Sequence, residues 1–253
     1  MKHYVHYPNL PVDCYGLIIC DRYYNIFKNK FAELNIRPFL MPDNKRLPCD
    51  ISYHSDLSFF HAGDNRIIAS RSYLDEEFVC SLRNEGFEIS FFADEQSGKY
   101  PYDTGGNVCY FGKYAVLNRQ TADPTILKYL DSTDAVQIDV KQGYTKCSIC
   151  VLDENSIITG DRITAEKAAE KGLDVLFSDP DFIKLEGFSH GFIGGSTFKI
   201  TSDKLCFTGV LDAFPDDEMN RILDFCEKKG IEPVFLTDMP LFDIGGAIPV
   251  LER

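Results

Sequence analysis

The sequence predicts an α/β fold: one domain of five ββαβ units closed into a ring, a five-bladed α/β-propeller. Three observations predict it. A short segment recurs, because Asp64-Asn65-Arg66-Ile67-Ile68-Ala69 parallels Glu154-Asn155-Ser156-Ile157-Ile158-Thr159. Gly112-Lys113-Tyr114-Ala115-Val116-Leu117 and Ser202-Asp203-Lys204-Leu205-Cys206-Phe207 fall into the same register. Each copy follows an apolar strand and precedes a helix candidate, a unit too small to bury its apolar faces without neighbours. Finally, Ala247 to Glu252 reads as the leading strand that the first unit lacks. A sheet shared by the two ends of the chain would close the ring and remove its edges.

The first unit combines residues 247–253 with 15–41. Tyr15 to Asp21 is an apolar strand, Arg22 to Leu34 a helix with Phe27, Phe31 and Leu34 on one face, and Arg37 to Met41 a strand. Pro249 in the returning strand predicts an edge or a bulge, since proline cannot donate to a ladder. The second unit, 54–92, has strands at Leu57 to Phe60 and Arg66 to Ala69, a helix from Asp75 to Glu85 and a strand at Glu88 to Phe92. The third, 103–138, has strands at Asn107 to Tyr110 and Tyr114 to Asn118 and a last strand at Ala135 to Ile138. Its helix starts at Asp123-Pro124, a capping side chain followed by proline at the first helical position. The fourth, 144–177, has strands at Ser148 to Val151, Ser156 to Thr159 and Asp174 to Phe177, with a helix from Thr164 to Lys171. The fifth, 190–236, has strands at Thr197 to Ile200, Lys204 to Thr208 and Glu232 to Leu236 around a helix from Asp216 to Lys229.

The 253 residues are 44% hydrophobic and 26% charged, with a formal net charge of -13. That balance argues against a nucleic-acid partner, because counterion release needs clustered Lys and Arg. It also disfavours anionic membrane surfaces. The first residues carry no apolar signal region and no stretch reaches the length of a membrane span. Nine cysteines without framework spacing suit a reducing cytoplasm. No Walker loop, dinucleotide fingerprint, nucleophile elbow or His-Glu-x-x-His is present, so no cofactor and no metal is expected.

Three glycine turns sharpen the reading: Asp103-Thr104-Gly105-Gly106, Asp243-Ile244-Gly245-Gly246 and Gly194-Gly195. With the five-fold repeat they resemble the pentein, or guanidino-group-modifying enzyme, superfamily. That superfamily holds deiminases, dimethylarginine hydrolases, amidinotransferases and a non-enzymatic ribosome-binding factor. The resemblance implies a central channel and, in the hydrolases, a Cys a few residues after the last Gly-Gly that attacks the guanidinium carbon. Here that stretch is Ala247-Ile248-Pro249-Val250-Leu251-Glu252-Arg253, and no Cys follows Cys226. The family's Gly-His-x-Asp in the fourth unit corresponds to Gly143-Tyr144-Thr145-Lys146, so Tyr144 replaces the His and Lys146 the Asp. The family's thiol mechanism is therefore not expected.

A His-x-Asp pair does occur one blade away. His54-Ser55-Asp56 is offset by ninety positions from Tyr144-Thr145-Lys146, the spacing of the Ile67/Ile157 repeat. His54 and Asp56 are candidates for a base and its orienting carboxylate, or for the anchor of a ligand amine. Asp103 and Asn107 flank a Gly-Gly turn, as a cation-binding carboxylate with a helping amide or as a plain Asx turn. Asp243 reads the same way, and His190 precedes the fifth unit where it can face the channel. Cys147 is either a displaced nucleophile beside Lys146 or a core thiol. Cys147-Ser148-Ile149-Cys150, read as strand, points its thiols to opposite faces. The His54, Asp56, His190 pattern of non-haem iron oxygenases belongs to a different, all-β architecture.

The expected function is binding of a small cationic guanidino or amine ligand in the channel by Asp103, Asn107, His190 and Asp243, with Asp56 and His54. Two alternatives stay open: a hydrolase with a relocated site at His54, Asp56 and Cys147, and a non-enzymatic interaction module. The oligomeric state is not legible.

Overall fold

A computed structural model of the chain describes residues 3–253. β1 (His3–Tyr4) and β2 (Cys14–Cys20) lead into α1 (Tyr24–Glu33) and β3 (Arg37–Met41). A helical turn, α2 (Ser55–Ser58), opens the second unit, followed by β4 (Phe59–Gly63), β5 (Arg66–Ala69), α3 (Glu77–Asn84) and β6 (Glu88–Phe91). The third comprises β7 (Cys109–Phe111), β8 (Tyr114–Leu117), α4 (Pro124–Asp131) and β9 (Val136–Asp139). The fourth opens on another turn, α5 (Thr145–Ser148), then β10 (Ile149–Asp153), β11 (Ser156–Thr159), α6 (Arg162–Glu170) and β12 (Asp174–Phe177). The fifth has β13 (Thr197–Thr201), β14 (Lys204–Phe207), α7 (Asp216–Lys228) and β15 (Glu232–Phe235), before the final β16 (Ile248–Glu252).

Five small mixed sheets result, with orders β1-β16-β2-β3, β4-β5-β6, β7-β8-β9, β10-β11-β12 and β13-β14-β15. Within each, the central strand has one antiparallel and one parallel neighbour from its own unit. The repeat extends to irregularities. Register slips at His61/Gly63, Val151/Asp153 and Lys199/Thr201, the same place in three units. The C-terminal β16 does sit beside β2, pairing Ile248 with Ile18, and the ladder slips between Pro249 and Leu251. The proline falls at a bulge because its missing N–H breaks the ladder there.

The helices lay their apolar faces on the sheets: Phe27 and Phe31 of α1 join Ile18 and Met41, and Ile126 and Leu130 of α4 join Ala115 and Leu117. Asp123 caps α4 through Thr125 N–H at 2.7 Å, with Pro124 inside the first turn. Helix α6 begins before the expected Thr164 because Asp161 accepts from Thr164 N–H and fixes an earlier start. The strands expected to begin at Leu57 and Ser148 instead begin after the helical turns α2 and α5. These turns arise because the amides of residues 56, 146 and 147 are claimed by partners in other units.

Candidate functional site

One end of four units, with the Gly245-Gly246 turn before β16, contributes to a circuit of hydrogen bonds. Asn107, from the third unit, accepts at Oδ1 from Lys146 N–H (2.7 Å) and Cys147 N–H (3.2 Å). Its Nδ2 donates to Asp56 O (3.1 Å) and to Cys147 Sγ (3.0 Å). Cys147 O accepts from Gly195 N–H at 2.9 Å, and Gly195 O accepts from Gly246 N–H at 2.9 Å. Gly245 O accepts from Asp56 N–H at 3.1 Å, and the Ser55 hydroxyl donates to the carbonyls of Gly245 and Gly246. The path runs through residues of four units and the Gly245-Gly246 turn that leads into β16, and returns to Asp56. Gly245 holds φ +73°, and a Cβ there would fall on His54.

This scaffold brings three side chains together. The Cys147 thiol donates to Asp56 Oδ2 at 3.0 Å, and His54 Nδ1 lies 3.9 Å from Asp56 Oδ1. All three are buried, and His54 Nε2 and Asp56 Oδ1 have no hydrogen-bond partner among the described residues. Burial raises the Asp56 carboxyl to about 7, against the pull of Lys146, which occupies the equivalent position ninety residues later. Burial, then the charges of Asp56 and Asp243, push the Cys147 thiol well up. Burial pushes His54 down, against Asp243. The resting cluster is thus a neutral imidazole beside a neutral thiol and a carboxyl that exchanges its proton near neutral pH.

His54 and Cys147 floor a pocket of about 180 Å³ walled by Leu57, Tyr144, His190 and Phe192 among others. Tyr144 and Phe192 stand with ring centroids 6.1 Å apart. The Tyr144 hydroxyl donates to Asp103 Oδ2 at 2.7 Å, while Asp103 Oδ1 is buried without a partner. Burial raises the Asp103 carboxyl despite that bond. His190 lines the same pocket, its Nδ1 3.0 Å from Gly191 O.

The candidates therefore divide. His54, Cys147 and His190 line the pocket, and Asp56 lies behind His54 and Cys147. Asp103 stands one hydrogen bond behind its wall. Asn107 has both ends of its amide committed to the scaffold. Asp243 is committed likewise, with Oδ2 accepting from Phe192 N–H (2.9 Å) and Oδ1 from Gly245 N–H (2.8 Å). Cys147 and Cys150 do not share a strand, as Cys147 lies in α5 and Cys150 in the apolar core. Sequence reasoning reads Tyr144 only as a missing His, and passes over Phe192 and Ser55. The ninety-residue offset is the available signal for Tyr144, since it pairs that position with His54.

Residues 18–248 match DUF6873, a family of unknown function. The chain belongs to that family. No curated protein matches its sequence. Among solved structures, SxtG, an amidinotransferase from Microseira wollei in the saxitoxin biosynthetic pathway, is similar with a TM-score of 0.60 at 7% identity, over 99% of this chain and 98% of its own. The inosamine-phosphate amidinotransferase of Streptomyces griseus is similar with a TM-score of 0.59 at 11% identity, over 97% and 96%. A dimethylarginine dimethylaminohydrolase variant from Pseudomonas aeruginosa, complexed with citrulline, has a TM-score of 0.56 at 10% identity, over 93% and 96%. This DUF6873 member has the pentein superfamily fold.

Proposed function

We propose that this protein binds a small cationic ligand, an amine or guanidino compound, in the pocket floored by His54 and Cys147. One observation carries the reading: the polar groups of the wall are backed by buried carboxylates. Asp103 stands behind Tyr144, and Asp56 behind Cys147 and His54. Asp243 holds the Phe192 amide. Asp56, Asp103 and Asp243 stand close to the pocket, and an entering cation favours the ionised form of the first two, whose carboxyls burial raises. The rings of Tyr144 and Phe192 add faces on which a guanidinium or ammonium is attracted. The neighbours named above include amidinotransferases, in keeping with a guanidino ligand.

We infer also that the five sheets close into a five-bladed α/β-propeller. The hydrogen-bond circuit from Asp56 through Asn107, Cys147, Gly195 and Gly245 supports that closure. The free thiols of the chain suit a reducing cytoplasm. Its acidity keeps it from nucleic acid and anionic membranes.

Thermal shift of metal-free protein tests the ligand reading, with arginine and agmatine against citrulline, whose side chain is uncharged. The cations raise the melting temperature saturably, and at 100 times Kd the gain is about 2.7 kcal/mol. Asp103→Asn reduces it. Equal shifts with citrulline, or none with any cation, would sink the reading.

The meeting of Cys147, Asp56 and His54 favours a second reading, a hydrolase with a relocated site. A carboxylate near 7 suits a general base at neutral pH. Ammonia release from an amidine, lost in Cys147→Ser with unchanged folding, would support it. Release unaffected by that change would remove it.

A further inference from the structure

We propose that His54, Asp56 and Cys147 form a binding site for a divalent metal ion of the zinc type, with its open position facing the pocket. The three side chains each offer one ligand atom, and those atoms lie within 4.8 Å of one another. Around a tetrahedral ion with bonds of about 2.0–2.3 Å, donors stand roughly 3.3–3.8 Å apart, so small side-chain rotations bring these three to one ion. A nitrogen, an oxygen and a sulfur donor form a set that zinc accepts.

A second observation points to a ligand independently. Among the described residues, His54 Nε2 and Asp56 Oδ1 are buried polar atoms with no hydrogen-bond partner. Native proteins satisfy such atoms, and unsatisfied ones call for a bonded species. The donors are also held before any ion arrives. Asn107 fixes the Asp56 carbonyl and the Cys147 amide, and Ser55 staples the neighbouring backbone to Gly245 and Gly246. Three protein donors beside a cavity match the arrangement of ions that keep one position for water or substrate.

The binding step balances without a redox partner. The Cys147 S–H bond breaks, its proton leaves to solvent, and its hydrogen bond to Asp56 Oδ2 is replaced by sulfur–metal and oxygen–metal bonds. Thiolate and carboxylate neutralise the two positive charges, and the imidazole donates a lone pair. Motif spacing in the sequence is silent on this site because 91 positions separate Asp56 from Cys147. The metal site shares His54 and Cys147 with the floor of the amine pocket, with Asp56 behind them, but it rests on their donor geometry and not on the aromatic wall.

The test is titration of chelator-treated full-length protein with Co²⁺ alone, then displacement by Zn²⁺, in a background with exposed Cys49 and Cys80 changed to Ser. One equivalent binds, with a thiolate-to-cobalt charge-transfer band that zinc abolishes. Cys147→Ser loses the band, and its affinity falls more than about 100-fold, beyond the usual effect of an outer-shell partner. His54→Gln keeps the thiol and weakens binding by a similar factor. Melting of each variant without metal checks folding, and His54→Gln decides if Cys147→Ser does not fold. A band that survives Cys147→Ser, an affinity unchanged in folded His54→Gln, or no stoichiometric binding would overturn the proposal. The amine titration uses metal-free protein, so either idea can fail without the other.

Discussion

Cys147 donates its thiol proton to Asp56 Oδ2 across 3.0 Å, although 91 positions separate the two residues. The bond joins a thiol pushed up by burial to a carboxylate raised to about 7. The thiolate is the reactive form, so this bond and burial both suppress reactivity. Alkylation of metal-free protein at pH 7.5, read by mass spectrometry, should label exposed Cys80 first and Cys147 at least about 100-fold more slowly. Comparable rates would mean that Cys147 is an activated thiol.

Asn107 bridges three units with one amide. Its oxygen holds two backbone amides and its nitrogen meets Asp56 O and Cys147 Sγ. Asn107→Asp keeps the size, removes both donors and places a second carboxylate beside Asp56. Denaturant unfolding should show a loss of more than about 2 kcal/mol at pH 7.5. A neutral result would show that the circuit contributes nothing to stability.

Much of this architecture is legible in the chain. The strands Arg37–Met41, Ser156–Thr159 and Asp174–Phe177 coincide with expectation, because short apolar segments in a repeated frame leave little freedom of type or register. The shared terminal sheet is legible because only Ala247 to Glu252 could supply a missing strand. The turns at Ser55 and Thr145 are not. Local propensity favours extending the following strands backwards, and only distant partners such as Gly245 and Asn107 hold those residues helical. The site follows the same division. The repeat offset places His54 and Asp56 at the same end of their unit as Tyr144 and Lys146 in theirs, but it cannot pair Asp56 with Cys147. Asp103, Asn107 and Asp243 look alike beside their glycines. Whether each faces a pocket or a backbone amide depends on chain segments far away in sequence.

His61 is buried, with Nε2 3.0 Å from Asp64 O and Nδ1 without a partner. Burial lowers it to about 4, against the Asp64 carbonyl and charge, while Arg66 adds to the lowering. The unfolded chain therefore binds more protons than the folded one between about 4 and 6.5, and stability rises with pH in that window. His61→Gln isolates the effect. The stability difference between parent and variant should be flat above pH 6.5 and shift against the parent by up to about 3 kcal/mol on descending to pH 4. A pH-independent difference would place a solvated, freely titrating imidazole at this position.

Gly245 combines a left-handed φ with contact against His54, whereas Gly172 has φ +88° and nothing within 4 Å of the place an added methyl group would take. The pair separates strain from crowding. Gly172→Ala should cost about 1 kcal/mol from backbone strain alone. Gly245→Ala should cost more than about 3 kcal/mol, because the added methyl must displace the backbone that carries His54. Equal costs in urea melts would mean that the segment around His54 moves aside freely.

Tyr144 and Asp103 offer a test in which the sign of a pH effect is diagnostic. The Tyr144 hydroxyl donates to Asp103 Oδ2, and Oδ1 has no partner. Burial already raises this carboxyl above its ordinary value, so the folded state takes up a proton at higher pH than the unfolded chain. Its burial as an anion weighs on stability above that folded value and is relieved as pH falls. Tyr144→Phe removes the donor that offsets the burial and raises the carboxyl further. The variant should lose about 1–3 kcal/mol at pH 7.5 and less at a lower pH, once the raised carboxyl has taken up its proton. A deficit equal at both pH values would assign the loss to packing of the ring against Phe192 and take Asp103 out of the account of the wall.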